Sequence, residues 1–162
     1  MEKKPAFKSN GEKNILVLGI GNILLTDEGT GIHVIRELES LDLSENIELL
    51  EGGTAALDLI HYLRGWDKIV VIDCINIQDT PGSIYRLIPE DLEEANCCNH
   101  SSMHQVGLIE MIKLSRLSGN KAEIVIIGIV PEIYGEYRLK LSPTLENLLP
   151  EIVKLVIKET QI

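Results

Sequence analysis

Two adjacent carboxylates, Asp27 and Glu28, a third at the end of an apolar run, Asp73, and two histidines, His100 and His104, are the residues whose chemistry stands out in this chain of 162 residues. Carboxylates plus an imidazole with an open position suit a borderline divalent cation such as Ni²⁺ or Zn²⁺. Such an ion polarises a carbonyl or activates a water for hydrolysis. Each residue also has an ordinary reading. In "TDEG", Thr26 or Asp27 can cap a helix while Glu28 complements its positive end. The two readings are compatible, because a carboxylate at a helix start stays ionised and a cation needs it so. Asp73 ends "KIVVID", and a carboxylate at the mouth of a buried strand costs stability unless it is paired or coordinated. Its ordinary partner would be the N-terminus of a neighbouring helix.

Competing chemistries fit less well. Cys97, Cys98, His100 and His104 suggest a structural zinc site, but adjacent cysteines seldom both face one tetrahedral ion, and Cys-x-x-Cys pairs are absent. The chain has no Gly-x-Ser-x-Gly elbow, no phosphate-binding P-loop and no His-Glu-x-x-His. "ILVLGIGNILLTDEGTG" opens like a dinucleotide fingerprint at Gly19 and Gly21, and Glu51 sits roughly where a ribose-binding acid would. Leu24 replaces the third glycine, however, and the acidic mouth repels a pyrophosphate.

These residues need a frame to hold them. Ile15 to Leu18 reads as a strand, and residues 28–40 as a helix with Ile32, Ile35 and Leu38 on one face. "NIELLEGG" is a second strand and "TAALDLIHYL" a helix with Thr54 as its cap. Residues 68–73 form a buried parallel strand. After the turn chemistry of "INIQDTPGS" comes a fourth strand, "SIYRLI", and then an irregular acidic stretch over 89–102. A helix over 103–116 is expected to share Met103, Val106, Ile109 or Glu110, and Lys113 on one side. Residues 123–130 form the last strand. The closing helix is capped by Ser142 with Pro143 at its first position, carries a stripe from Leu145 to Val156, and contains Pro150. The order βαβαββαβα predicts an α/β domain with helices on both faces of a mostly parallel sheet, the fourth strand being free to run antiparallel. In such sheets sites form at the carboxyl ends of strands, where Asn22–Glu28, Asp73 and the 95–104 loop fall.

Composition narrows the partners. Hydrophobic residues at 44% and charged residues at 25% describe a globular domain, and with 4% aromatics there is little to stack on single-stranded nucleic acid. A net charge of −10 disfavours a phosphate backbone and tolerates cationic or metal-bearing partners. The first 13 residues, a polar leader expected to be flexible, hold four Lys against two Glu. That leaves 11 basic and 23 acidic residues, a charge of −12, in a single domain over 14–162. No apolar run reads as a secretion signal or membrane span, and three cysteines, two of them adjacent, fit a reducing cytoplasm.

The segments "ILVLGIGNILLTDEGTGIHVIREL", "EGGTAALDL", "KIVVIDCI", "PGSIYRL", "SMHQVGL", "IIGIVPE" and "LSPTLENLLPEIV" together resemble the maturation endopeptidases of nickel–iron hydrogenases, from residue 14 to about 157. The resemblance implies a three-layer α/β/α sandwich with a twisted, mostly parallel five-stranded sheet. It implies removal of a C-terminal peptide from the hydrogenase large-subunit precursor after nickel insertion; a monomer is the expected state, with the oligomeric state left open by the sequence. It also implies a metal-contacting and catalytic trio on Glu28, Asp73 and His104, with Asp27 the rival of Glu28. The nickel would arrive already seated in the substrate and serve as the recognition element, with no organic cofactor. Met103 before His104, and Cys97 and Cys98, depart from the family pattern. A non-catalytic nickel-sensing or chaperone-like binding module is the alternative on the same scaffold, and a nucleotide-binding domain is a third reading.

Overall fold

The computed structural model describes residues 11–54, 56–96 and 103–161. The leader's first ten residues, Cys97, Cys98 and His100 lie outside the described residues. Five strands form one sheet in the order β2-β1-β3-β5-β4. They are β1 (Ile15–Ile20), β2 (Ile47–Gly53), β3 (Lys68–Cys74), β4 (Ile84–Leu87) and β5 (Glu123–Ile129). The β1–β2, β1–β3 and β3–β5 pairs are parallel, and only β4 runs antiparallel, against β5. The nine residues between β3 and β4, 75–83, leave no room for a crossover helix, which parallel pairing would require.

The buried strands β1 and β3 are apolar on both faces, as their uninterrupted Ile/Val/Leu runs predict. On one face Val17, Val70, Ile72 and Val125 pack against Val34, Ile35 and Leu38 of α1 (Thr30–Glu39) and Leu145, Ile152 and Val156 of α4 (Pro143–Thr160). On the other, Leu16, Leu18, Ile69, Val71 and Ile126 pack against Leu59 and Leu63 of the 3₁₀ helix Ala56–Leu63 and Leu108, Met111 and Ile112 of α3 (Met103–Leu117). Helices therefore sandwich the sheet in three layers.

Some local expectations are corrected. The segment expected to be an α-helix after Thr54 is 3₁₀, a form that rises about 2.0 Å per residue against 1.5 Å, so eight residues cover more of the sheet in a short crossover. The "irregular" acidic stretch begins as a helix, α2 (Pro89–Asn96), with Pro89 at its first position and the Asp91 carboxylate accepting the Ile88 N–H at 2.8 Å. In α3 the buried side is Leu108, Ile109, Met111, Ile112 and Ser115, while Glu110 and Lys113 face outward. Of the expected stripe, Ile109 turns inward and Lys113 does not, while the side chains of Met103 and Val106 lie outside the described residues. Ser142 caps α4 as its type predicts, accepting from Leu145 N–H, and Pro150 sits inside a helix that continues to Thr160.

Candidate active site

Gly21 follows strand β1, and its N–H reaches the Gly53 carbonyl at 3.0 Å. Its φ of +137° and the close approach of the Glu28 carbonyl leave room for no Cβ. The Asn22 N–H donates to that same carbonyl at 3.0 Å. The glycine that nucleotide binding would require therefore has a different use here: it lets the chain fold back onto its own acidic turn. Leu24, in the third-glycine position, is half exposed, and its carbonyl accepts the Arg138 N–H at 2.9 Å. Glu51, the ribose-acid candidate, is held by Arg36 at 2.7 Å.

"TDEG" is a 3₁₀ turn, Thr26–Gly29, placed before α1, and neither Thr26 nor Asp27 caps α1 through its side chain. Thr26 adopts φ +44°, a costly conformation for a β-branched residue. Two bonds hold it there: its N–H donates to the Arg138 carbonyl (2.9 Å) and its hydroxyl to the Glu136 carbonyl (2.7 Å). Asp27 is fully buried. One of its oxygens accepts the N–H groups of Glu132 (2.9 Å) and Ile133 (2.8 Å), and the other that of Ser142 (2.7 Å). Both oxygens are thus committed to backbone amides. Glu28 is 7% exposed, and one of its oxygens accepts the Gly135 N–H at 3.0 Å.

Asp73 lies at the carboxyl end of β3, 2% exposed. Its Oδ1 accepts the N–H of Cys74 at 2.8 Å, but Oδ2 is buried and has no hydrogen-bond partner among the described residues. Among the described residues no helix N-terminus donates to it. Burial pushes its carboxyl up to about 7, the Cys74 amide pulls it back, and the negative charge of Glu28 adds to the rise. The same surroundings bear on Cys74, whose thiol burial drives well up, with Asp73, Asp27 and Glu28 adding to it. A thiol so hard to ionise is no nucleophile. Burial lowers the pKa of His33 on α1, and His33 hydrogen-bonds the Leu139 carbonyl while its Nε2 is buried without a partner.

The structure thus brings Asp27, Glu28 and Asp73 into one electrostatic neighbourhood at the carboxyl ends of β1 and β3. His104 falls in the first turn of α3. That helix ends at Leu117, where Asn120 bonds Leu63 and Ser115 just before β5 begins, so its first turn points toward the other, carboxyl end of the sheet. The His104 side chain lies outside the described residues, and among the described residues no three His, Cys, Asp or Glu side chains form a metal-binding group. Sequence reasoning missed the segment 131–142, whose amides clasp both acids. Its signal was faint: "PEIYGEYRLKLS" carries Gly135, at φ +78°, and no hydrophobic periodicity.

Comparison with known proteins bears on this arrangement. A family model described as hydrogenase maturation protease matches residues 32–159. The chain is 34% identical over 146 residues to the Hydrogenase 2 maturation protease of Escherichia coli (strain K12), covering 88% of each. It is 30% identical over 157 residues to the hydrogenase expression/formation protein HupD of Rhodobacter capsulatus, covering 96% of this chain and 73% of that one. Among solved structures, the hydrogenase maturating endopeptidase HybD from E. coli matches with a TM-score of 0.82 at 33% identity, over 90% of this chain and 91% of that one. The NiFe hydrogenase maturation protease HybD from Thermococcus kodakarensis matches with a TM-score of 0.77 at 28% identity, over 91% and 99%.

Proposed function

The chain belongs to the hydrogenase maturation protease family, and from that footing we propose that it is an endopeptidase that removes the C-terminal extension of a nickel–iron hydrogenase large-subunit precursor once nickel is inserted. The observation that carries this reading is the Oδ2 of Asp73, a buried acceptor with no partner, beside a Glu28 that has one oxygen tied to Gly135. A buried carboxylate so placed is costly, and a cation entering with the substrate would offset that cost. Glu28, Asp73 and His104 are the proposed contacts to the substrate's nickel. Asp27 is a poor ligand, since three backbone amides occupy both its oxygens.

Hydrolysis needs a water added to the scissile carbonyl, cleavage of the C–N bond, and a proton delivered to the departing amine. An electrophilic ion near the carbonyl lowers the cost of the first step. A carboxylate of the site can take the water's proton and pass it to the amine. The test is to mix the purified protein with nickel-loaded and nickel-free precursor and weigh the precursor. Loss of a C-terminal fragment from the loaded form alone supports the proposal. Binding without mass loss favours the nickel-sensing module instead, and equal cleavage of both forms removes nickel from the account.

A further inference from the structure

Along the segment 136–138 the polar groups of Tyr137 are open, while those of its neighbours are in use. The Arg138 N–H donates to the Leu24 carbonyl at 2.9 Å, and its own carbonyl accepts the Thr26 N–H at 2.9 Å, making a single parallel bridge between Leu25 and Arg138. In an extended chain the polar groups of successive residues point to opposite sides. Those of Tyr137 therefore face away from 24–26, and among the described residues they make no hydrogen bond. Large apolar side chains are exposed on this segment and on the stretch paired with it. Tyr137 is 86% exposed, Leu139 64% and Leu24 51%. Arg138 and Lys140 alternate with them, two cations in a chain of net charge −10.

From these features we propose that residues 136–139, with Leu24, form a docking edge for an extended segment of the precursor, one with apolar side chains at alternate positions and acidic residues between them. The proposal rests on the endopeptidase reading and names where its substrate is held. An added strand would bond the open amide and carbonyl of Tyr137 and cover its ring and Leu139, while carboxylates would meet Arg138 and Lys140. The edge is firmly held: Asp27 grips residues 132, 133 and 142, Thr26 grips 136 and 138, and His33 bonds 139. A preorganised edge lowers the ordering cost of binding. It also delivers the peptide to the site, because Gly135, whose N–H holds Glu28, stands two residues from Tyr137, roughly 7 Å of extended chain.

The experiment compares three proteins: wild type, the double variant Tyr137→Ser/Leu139→Ser, and Leu117→Ser, which removes an exposed leucine at the end of α3. For each, the Kd for nickel-loaded precursor, the KM and kcat of cleavage, the melting temperature and the oligomeric state are measured. The double variant is expected to melt like wild type and to raise Kd and KM about ten-fold with little change in kcat, a loss of apolar contact rather than of chemistry. Leu117→Ser is expected to match wild type. Unchanged Kd and KM in the double variant overturn the docking edge, as does an equal rise in Leu117→Ser. A wild-type dimer that the double variant dissolves without altering Kd also overturns it and identifies the patch as a self-interface. If wild type binds precursor without cleaving it, the endopeptidase reading falls while the edge is still judged on Kd.

Discussion

The two ends of strand β3 both bury a charge, and they treat it in opposite ways. At its start, Lys68 is fully buried, and its ammonium reaches Glu159 at 2.9 Å and Glu123 at 3.5 Å. Arg86 holds the other oxygen of Glu159 at 2.6 Å, so a cation, two carboxylates and a second cation tie α4 and β4 to the sheet. At its end, roughly 17 Å away along the strand, Asp73 is buried with an oxygen that nothing among the described residues bonds and with Glu28 as its charged neighbour. A buried charge supplied with partners is part of the scaffold. One left without a partner costs stability, and a fold retains it where something from outside completes it.

The contrast can be broken at either end. The largest effect is expected from Asp73→Asn as pH rises. The Asp73 carboxyl is raised to about 7 in the folded protein against 3.8 unfolded, so between those values the folded state holds a proton that the unfolded state has lost. Its contribution is intact below pH 4 and is lost as pH climbs through 7, amounting to about 4 kcal/mol at most. The wild type should therefore lose stability to the variant over that window in urea melts at successive pH values. A constant difference between the two proteins from pH 4 to 8 would show that Asp73 is not held in this way.

Next comes Lys68→Met, which strips the paired end. It is expected to destabilise by about 3 kcal/mol, because Glu159 stays largely buried with Arg86 alone. Processing by the folded fraction should be unaltered; a loss of activity at full folding would tie this end to the site after all. Asp27→Asn keeps the volume but turns an acceptor into a donor, at an expected cost of about 1–3 kcal/mol. Hydrogen exchange should then quicken at the Glu132, Ile133 and Ser142 amides, and at Gly135 if the clasp is what aims Glu28. The smallest effect belongs to Glu51→Gln, which breaks an exposed ion pair with Arg36 and should cost less than about 1 kcal/mol. Its processing activity should equal that of wild type, as expected of a residue that contacts no nucleotide.

How legible each region was in the sequence follows from the physics each depends on. Strands β1, β3 and β5 are continuous apolar runs, and Ser142-Pro143 is a local cap, so local chemistry announces them. Asp73 was conspicuous for the same reason, a charge interrupting such a run. The choice between Asp27 and Glu28 was not legible, because it is made by amides 105 to 115 residues away in a segment with no periodicity. Lys68 was equally silent: its partners lie on β5 and α4, and a lysine opening a strand looks like any solvated terminus. The start of α2 was hidden by its acidity, which reads as loop and in fact suits a first helical turn.

The central claim is that the unpartnered end of β3 is completed by the substrate's nickel. Its most direct test is a single-turnover assay of nickel-loaded precursor with wild type, Asp73→Asn and His104→Gln, each shown to be folded and to bind the precursor. The account predicts C-terminal mass loss with wild type and a rate lower by about 10²–10⁴-fold with either variant. Cleavage by both variants at the wild-type rate would contradict it.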